Sequence, residues 1–471
     1  IFNGRNQPER SHNELESLIN IVQETMHEEY YLVDCLKKGI AYHFGGLPQR
    51  IREKIELLFQ RKVIKNIFCT STLLEGVNLP AKNIFILSNA IGSKKLSKID
   101  FWNLAGRAGR LTEDLSGNII CLRIIDKRNR WHNPDRDLQV IKERTVEEVS
   151  SVLMTNRGRF YLNIGQSIKS EPFTRKAVTE NEKRMLDSYG NILAYHALSK
   201  TDSILRSKFI NSNNDAKEII NYLEKINIVP EKILSQSSTI KLIYQNKVLS
   251  SSMNLTNIAG KTGYQECLDL LNTLYDLYNW EKEESGGRNP LAKNRSVLEY
   301  YAVLMNSWIN SQPLNVIIKN AIYYFDKKYK KISINNKEPV LFDKNNRIHI
   351  NQVVNNVVSD IENVLRFKIK VYVKNYIDLL NVRYQKNEEA INTPNWDKYL
   401  EYGTTDLTII ELQNLGFQRH IANFLKKNYH EYFIMENGTI TDFLENKLKE
   451  QLQKSIYIQE FEEVSNTLGW S

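Results

Sequence analysis

The octet NLAGRAGR, Asn103 to Arg110, sets two arginines three residues apart, each directly behind a glycine. If the octet is helical, guanidiniums at i and i+3 share one face of a turn. Gly106 and Gly109 would leave that face low enough for another body to approach. A planar guanidinium grips phosphate oxygens two at a time, which an ammonium does not. The plain alternative is a surface helix with small residues on one side and two solvated arginines on the other. A second stretch, CTSTLLEGVNLP from Cys69 to Pro80, runs an apolar segment into Thr70-Ser71-Thr72. Three hydroxyls and three backbone amides can hold a phosphate when a helix starts there, although an ordinary N-cap uses the same residues. A third stretch, His43-Phe44-Gly45-Gly46, puts an imidazole and two glycines after another apolar run. The four cysteines and eight histidines are scattered, with no pair at metal-ligand spacing. No metal held by protein ligands is expected, and the cysteines read as buried thiols of a cytosolic protein.

The elements that must carry these residues follow from periodicity. IAYHFGG (40–46), NIFCTST (66–72), NIFILSN (83–89) and GNIICLRII (117–125) read as strands, and RIREKIELLFQRK (50–62) as an amphipathic helix. Apolar positions within 13–38 also recur at helical spacing. Strands alternating with helices predict a parallel sheet, whose ligands bind beyond the strands' carboxyl ends. After about residue 140 helical patterns dominate, at 178–206, 214–226, 264–283, 295–330, 350–384 and 406–427. TIKLIYQNKVL (239–249) reads as a β-like interruption. Polar seams at GGRNP (286–290) and INNKEP (334–339) suggest subdomain borders. The expected division is 1–140, 141–285 (helical, winged-helix-like), 286–400 (helical) and 401–471 (small, helical).

The 471 residues carry a net charge of +9, which is compatible with a nucleic-acid partner but spread thinly. Ten prolines and twenty glycines are few for this length and favour long helices. No apolar run approaches the roughly 18 residues of a membrane span. The chain opens at Ile1 inside what reads as a strand, so a portion of a longer protein is expected.

HFGGLPQRIREKIE, CTSTLLEGVNLPAKNIFIL and NLAGRAGR occur in a fixed order. Together they resemble the second RecA-like domain of a superfamily-2 helicase, and within it the Ski-like branch. IFNGR (1–5) is similar to that domain's motif IV, and the resemblance covers residues 1–125. It implies an α/β RecA-like domain, its first strand or strands truncated, followed by a large mainly α-helical region. Arg107 and Arg110 would then reach across a cleft to the terminal phosphates of ATP. The ATP and its Mg2+ would be held mainly by a first RecA-like domain. Gly76, Asn78, Asn103 and Gly106 would lie near the nucleotide, while His43, Gly45, Gly46, Arg50, Thr70 and Ser71 would contact the nucleic-acid strand. The family usually has glutamine where Asn103 stands, and HHAG where this chain has HFGG.

The phosphate-binding loop G-x-x-x-x-G-K-S/T and the D-E-x-D/H box do not occur in this sequence. NIAGKTG (257–263) imitates the loop's end, but Leu255 occupies the place of its first glycine. The chain alone is therefore expected not to hydrolyse ATP. SNAIGSKKLSKIDFWN (88–103) could form a strand-separating hairpin with its turn at Gly92-Ser93, or a plain connection. VLRFKIKVYVKNY (364–376) interleaves cations and aromatics, as a single-strand site or as an amphipathic helix with solvated lysines. Residues 401–425 read as helix–turn–helix-like, with Gly416 at the turn. This part also resembles Hachiman-type antiviral helicases, which work with a nuclease. The expected function is a cytoplasmic ATP-dependent DNA helicase or translocase acting on single-stranded or 3′-tailed DNA, with a nuclease partner. The alternatives are a housekeeping RNA or DNA helicase, and a non-enzymatic scaffold or clamp of helicase fold.

Overall fold

The computed structural model of the protein describes residues 9–70, 81–88, 90–91, 94–109, 117–122, 153, 158–173, 179–251, 262–284, 291, 295–334, 338–386, 395–436, 439–454 and 458–470. Two compact units are present: residues 1–149 with 313–358, and residues 150–312 with 359–471. Residues 313–358, expected within a domain 286–400, thus group with the N-terminal unit.

In that unit α1 (Glu9–Thr25) buries Leu15, Leu18 and Val22 at helical spacing, and α2 (Tyr31–Lys37) buries Leu32, Val33 and Leu36. β1 (Ile40–His43), α3 (Gln49–Gln60) and β2 (Asn66–Cys69) follow. β1 and β2 are parallel, with Ile40 opposite Asn66 and His43 opposite Cys69. A parallel return requires a crossover, which α3 provides. Ile51, Ile55 and Leu58 supply its buried stripe at spacings of four and three.

A second unit of the same kind contains β3 (Asn83–Ile86), α4 (Lys98–Ala105) and β6 (Asn118–Cys121), with β3 and β6 parallel. Between them β4 (Ala90–Ile91) and β5 (Lys94–Lys95) pair antiparallel, Ile91 opposite Lys94. One of the two forms read for this connection was a hairpin, and these strands pair as one; the residues of its turn, Gly92-Ser93, lie outside the described residues. Ser97 and Asp100 close a capping box that fixes where α4 begins. Phe101 then packs with Ile86 and Leu96, flanked by Trp102 and Ile119. These two parallel βαβ units match the α/β pattern read from the sequence.

The segment 313–358 adds helices Leu314–Lys327 and Arg347–Ser359 and a short antiparallel pair, Lys331–Ile332 with Val340–Leu341. Arg347, Asn351 and Asn355 recur every four residues, on one helix face. Arg347 meets the Asp34 carboxylate at 2.5 Å and donates to the Glu29 carbonyl at 2.7 Å. Asn351 donates to that same carbonyl at 3.0 Å and accepts from the Tyr31 N–H at 2.9 Å. The Tyr30 hydroxyl donates to Asn355 at 2.7 Å.

Two expectations for the second unit need correction. TIKLIYQNKVL is not β-like: Leu242–Ser250 is a helix. Leu242, Gln245 and Val248 recur every three residues and are buried, so packing overrides the β-propensity of the stretch. No strand occurs among the described residues of 141–285. The last 70 residues are not purely helical. Helices Leu407–Asn414 and Arg419–Tyr429, joined through Gly416 at φ +100°, precede an antiparallel hairpin, Phe433–Glu436 with Thr439–Phe443.

Candidate ATP-phosphate and nucleic-acid sites

The helix α4 ends at Ala105 and is capped by Gly106. Arg107 stands beyond it, its N–H donating to the Leu104 carbonyl at 3.0 Å. Ala81 grips the next residues with both backbone groups: its N–H donates to the Arg107 carbonyl at 3.1 Å, and its carbonyl accepts from Gly109 at 2.9 Å. Arg107 is not on the helix, which stops before it. Glycine is the poorest ordinary residue for a helix interior, and Gly109 adopts φ +85°, which a helix excludes. Arg110 itself lies outside the described residues.

The glycines here serve different ends. Gly109 provides a left-handed backbone. Gly106 has an ordinary φ of −65°, and a methyl group there would meet nothing nearer than the Trp102 carbonyl at 3.5 Å. Gly117, which nothing in the sequence marks out beyond its place before a strand, lies against the turn. A Cβ on it would fall 2.2 Å from the Ala108 carbonyl carbon and 2.4 Å from the Gly109 nitrogen. The start of β6 therefore presses on the arginine turn from one side while Ala81 holds it from another. Arg107 is half-buried, and Asn103 and Gly106 are exposed.

The carboxyl end of the β1–β2 pair gathers His43, Gly45, Gly46, Arg50 and Thr70. His43 is 1% exposed, and its Nε2 lies 2.9 Å from Glu56 Oε1 on α3. Its imidazole joins strand to helix, so in this conformation it sits behind the edge. Glu56 was not singled out from the sequence, where its only signal is a place on the helix that follows HFGG. The Thr70 N–H donates to the His43 carbonyl at 3.3 Å as the last rung of the ladder. That amide, expected among the phosphate donors, is already engaged, although the residue is exposed. Burial, with Glu56 nearby, pushes the Cys69 thiol up to about 12. Gly46 lies under the Phe44 ring, where a Cβ would come 2.5 Å from Cε2. Gly45 is exposed and Arg50 half-buried in the first turn of α3. Ser71, Gly76 and Asn78 lie outside the described residues.

The basic stretch 364–376 turns its charges to neighbouring carboxylates. Arg366 meets Glu362 at 2.6 Å, Lys368 meets Glu284 at 2.6 Å, Lys370 meets Glu401 at 3.4 Å and Lys374 meets Asp378 at 3.0 Å. The Tyr372 hydroxyl donates to Glu284 at 2.8 Å, and Tyr376 is buried. The stretch is helical, as one of its two readings had it, but its cations are paired rather than solvated. The helix Arg419–Tyr429 behaves similarly. Arg419 stacks 4.2 Å from the Trp308 ring centroid and donates to the Gly403 and Gln312 carbonyls, each at 3.1 Å. Burial, with Arg366 nearby, lowers its guanidinium to about 10. Lys426 pairs with Asp406. Among the described residues, no three His, Cys, Asp or Glu side chains converge as metal ligands would. Among the same residues, no helix is long and apolar enough to cross a membrane.

Comparison with known proteins bears on the first unit. Residues 11–112 match the family described as helicase conserved C-terminal domain. Anti-bacteriophage protein B of Escherichia coli (strain K12) is 34% identical over 111 residues, 24% of this chain and 15% of that protein. Hachiman protein HamB of Bacillus cereus is 34% identical over 131 residues, 27% of this chain and 12% of its own length. Antiviral helicase SKI2 of Saccharomyces cerevisiae is 38% identical over 159 residues, 32% of this chain and 12% of its own length. The match thus spans under a sixth of each of these relatives. Residues 11–112, which hold the β1–α3–β2 unit and the arginine turn, match the helicase conserved C-terminal domain, and over them the chain is similar to superfamily-2 helicases of the Ski-like type.

Proposed function

We propose that this chain supplies the arginine half of a composite ATP site in a cytoplasmic DNA helicase or translocase of antiphage defence. The observation that carries the proposal is the turn at 107–109: a helix stopped by glycine, held by both backbone groups of Ala81, with Arg107 beside open surface at Asn103 and Gly106. A guanidinium held in place beforehand stabilises charge developing in phosphoryl transfer without reorganising. Arg107 and Arg110 would face the terminal phosphates of ATP, with Gly76, Asn78, Asn103 and Gly106 alongside the nucleotide. The phosphate-binding loop and the Mg2+ ligands would belong to a first RecA-like domain. The room at Gly106, which this unit's own packing does not need, suits a surface that another domain covers.

The strand would lie across the carboxyl end of β1–β2, on Gly45, Gly46, Arg50, Thr70 and Ser71. His43 would act from behind, as a positioning residue locked by Glu56. Binding of ATP would close the two RecA-like domains and hydrolysis would release them, advancing the strand. The names of two relatives, anti-bacteriophage protein B and Hachiman protein HamB, support the defence setting. A nuclease partner belongs to the same proposal.

Strand-stimulated ATP hydrolysis by the complete gene product tests it. Single-stranded DNA should stimulate more than single-stranded RNA. The opposite preference would make the protein an RNA helicase, and no hydrolysis with either polymer would leave the scaffold alternative.

A further inference from the structure

We propose that the segment 313–358 carries a second contact surface for single-stranded nucleic acid, built from Tyr323, Tyr329 and the lysines 327, 328, 330 and 331. The inference rests on the nucleic-acid function proposed above and adds a site to it. The helix Leu314–Lys327 buries Ile317 and Ile318 and turns Val316, Lys319, Tyr323 and Lys327 outward, at spacings of three and four along one face. Beyond its end Lys328, Tyr329, Lys330 and Lys331 are exposed one after another. Tyr323 is 64% exposed, and Tyr329, at 79%, is the most exposed large hydrophobic among the described residues.

The charges here are disposed differently from those of 364–376. Lys327 Nζ lies 5.7 Å from the Tyr323 ring centroid and Lys330 Nζ 5.3 Å from that of Tyr324. None of the four lysines is ion-paired with a carboxylate among the described residues, and the adjoining Asp326 is held by Lys344 at 3.1 Å. Cations at a helix C-terminus complement its dipole. That accounts for Lys327, but not for Lys330 and Lys331 beyond the helix, nor for either ring.

The backbone adds an independent observation. Tyr329 has φ +48° and is the one aromatic among the described non-glycine residues with positive φ. It occupies the left-handed position just past the helix, where the Lys330 N–H reaches back to the Phe325 carbonyl at 3.0 Å. Glycine is favoured at that position and would form the same cap with less strain. The ring is thus kept where the backbone would prefer none. Exposed rings stack on bases while unneutralised lysines meet phosphates, and this pairing recognises a single strand, whose base faces are open.

Fluorescence anisotropy with short labelled oligothymidylate and oligouridylate, at several salt concentrations, tests the inference. Lys330→Gln with Lys331→Gln should weaken binding and reduce the salt slope by about 1.4, since each lost phosphate contact removes about 0.7. Tyr329→Gly should weaken binding about tenfold through lost stacking while the melting temperature holds or rises. Tyr329→Phe, which keeps the ring, should bind like wild type. Wild-type affinity and slope in the lysine and glycine variants would overturn the surface and leave the proposed function standing. Wild-type protein that binds neither strand would overturn both. Loss of binding to phosphatidylserine vesicles, with strand binding unchanged, would make the patch a lipid contact and overturn the inference.

Discussion

At the scale of single residues, the arginine turn shows three glycines present for three reasons, and their substitutions should separate accordingly. Gly109→Ala forces a side chain into a left-handed backbone, which costs roughly 1–2 kcal/mol. Gly117→Ala drives a Cβ into the backbone of residues 108–109, so the strand or the turn must shift. Both should lower the melting temperature. Gly106→Ala, with an ordinary φ and room for a methyl group, should leave it unchanged yet slow ATP hydrolysis if another domain closes there. Thermal melts and steady-state rates on the three variants check this, and equal destabilisation by all three would contradict it. The domain was legible in the sequence, because two arginines among small residues are uncommon and their order relative to HFGG and CTST is specific. The conformation was not legible. Spacing alone allowed a helical face, and only the Gly109 dihedral and the Ala81 clamp show that the helix ends before Arg107. The roles of Gly117 and Glu56 depend on contacts that no local pattern announces.

At the scale of elements, the helix Arg347–Ser359 is fastened to α2 and the turn before it by side chains rather than by an apolar stripe alone. Asn351→Ala should leave the Tyr31 N–H unsatisfied, at about 1–3 kcal/mol, while the Glu29 carbonyl keeps Arg347. A fall in the urea midpoint of about 0.3 M or more checks this on the usual m-values of about 1–3 kcal/mol/M, and an unchanged midpoint would contradict it. The next turns, Asp360–Ile369, are π-helical, and Asp360 is buried beside the hydroxyls of Tyr300 (2.9 Å) and Tyr301 (3.4 Å). Burial pushes its carboxyl up to about 6, and the two tyrosine hydrogen bonds oppose that only in part. The unfolded value is about 3.9, so the folded chain holds this proton more tightly. Its contribution to stability is complete below about pH 4 and is lost as pH rises through about 6, a change of about 3 kcal/mol. Asp360→Asn should remove that portion of the pH dependence in urea titrations between pH 4 and 7, and an unchanged profile would contradict it. Helices and parallel strands were legible as periodicity, except where burial at every third residue turned TIKLIYQNKVL into a helix. The stretch 364–376 left a strand site open as one of two readings because two of its neutralising partners, Glu284 and Glu401, are distant in sequence.

At the scale of the whole molecule, the net charge of +9 says less than how the positive charges are paired. Lysines and arginines of the second unit meet carboxylates or carbonyls at several positions where a phosphate site was conceivable, whereas lysines 327–331 do not. The grouping of 313–358 with the N-terminal unit was hidden from the sequence, because its clamp joins residues more than 300 positions apart. The proposed composite ATP site makes one further demand, that Arg107 act on the rate of phosphoryl transfer and not on folding or strand binding. The measurement that tests this most directly is single-turnover ATP hydrolysis by the complete protein, wild type beside Arg107→Ala, with strand affinity measured on the same samples. The rate should fall by about 10³-fold or more, as for other arginine fingers, with strand affinity unchanged. Hydrolysis at the wild-type rate in Arg107→Ala would contradict the role assigned to the turn.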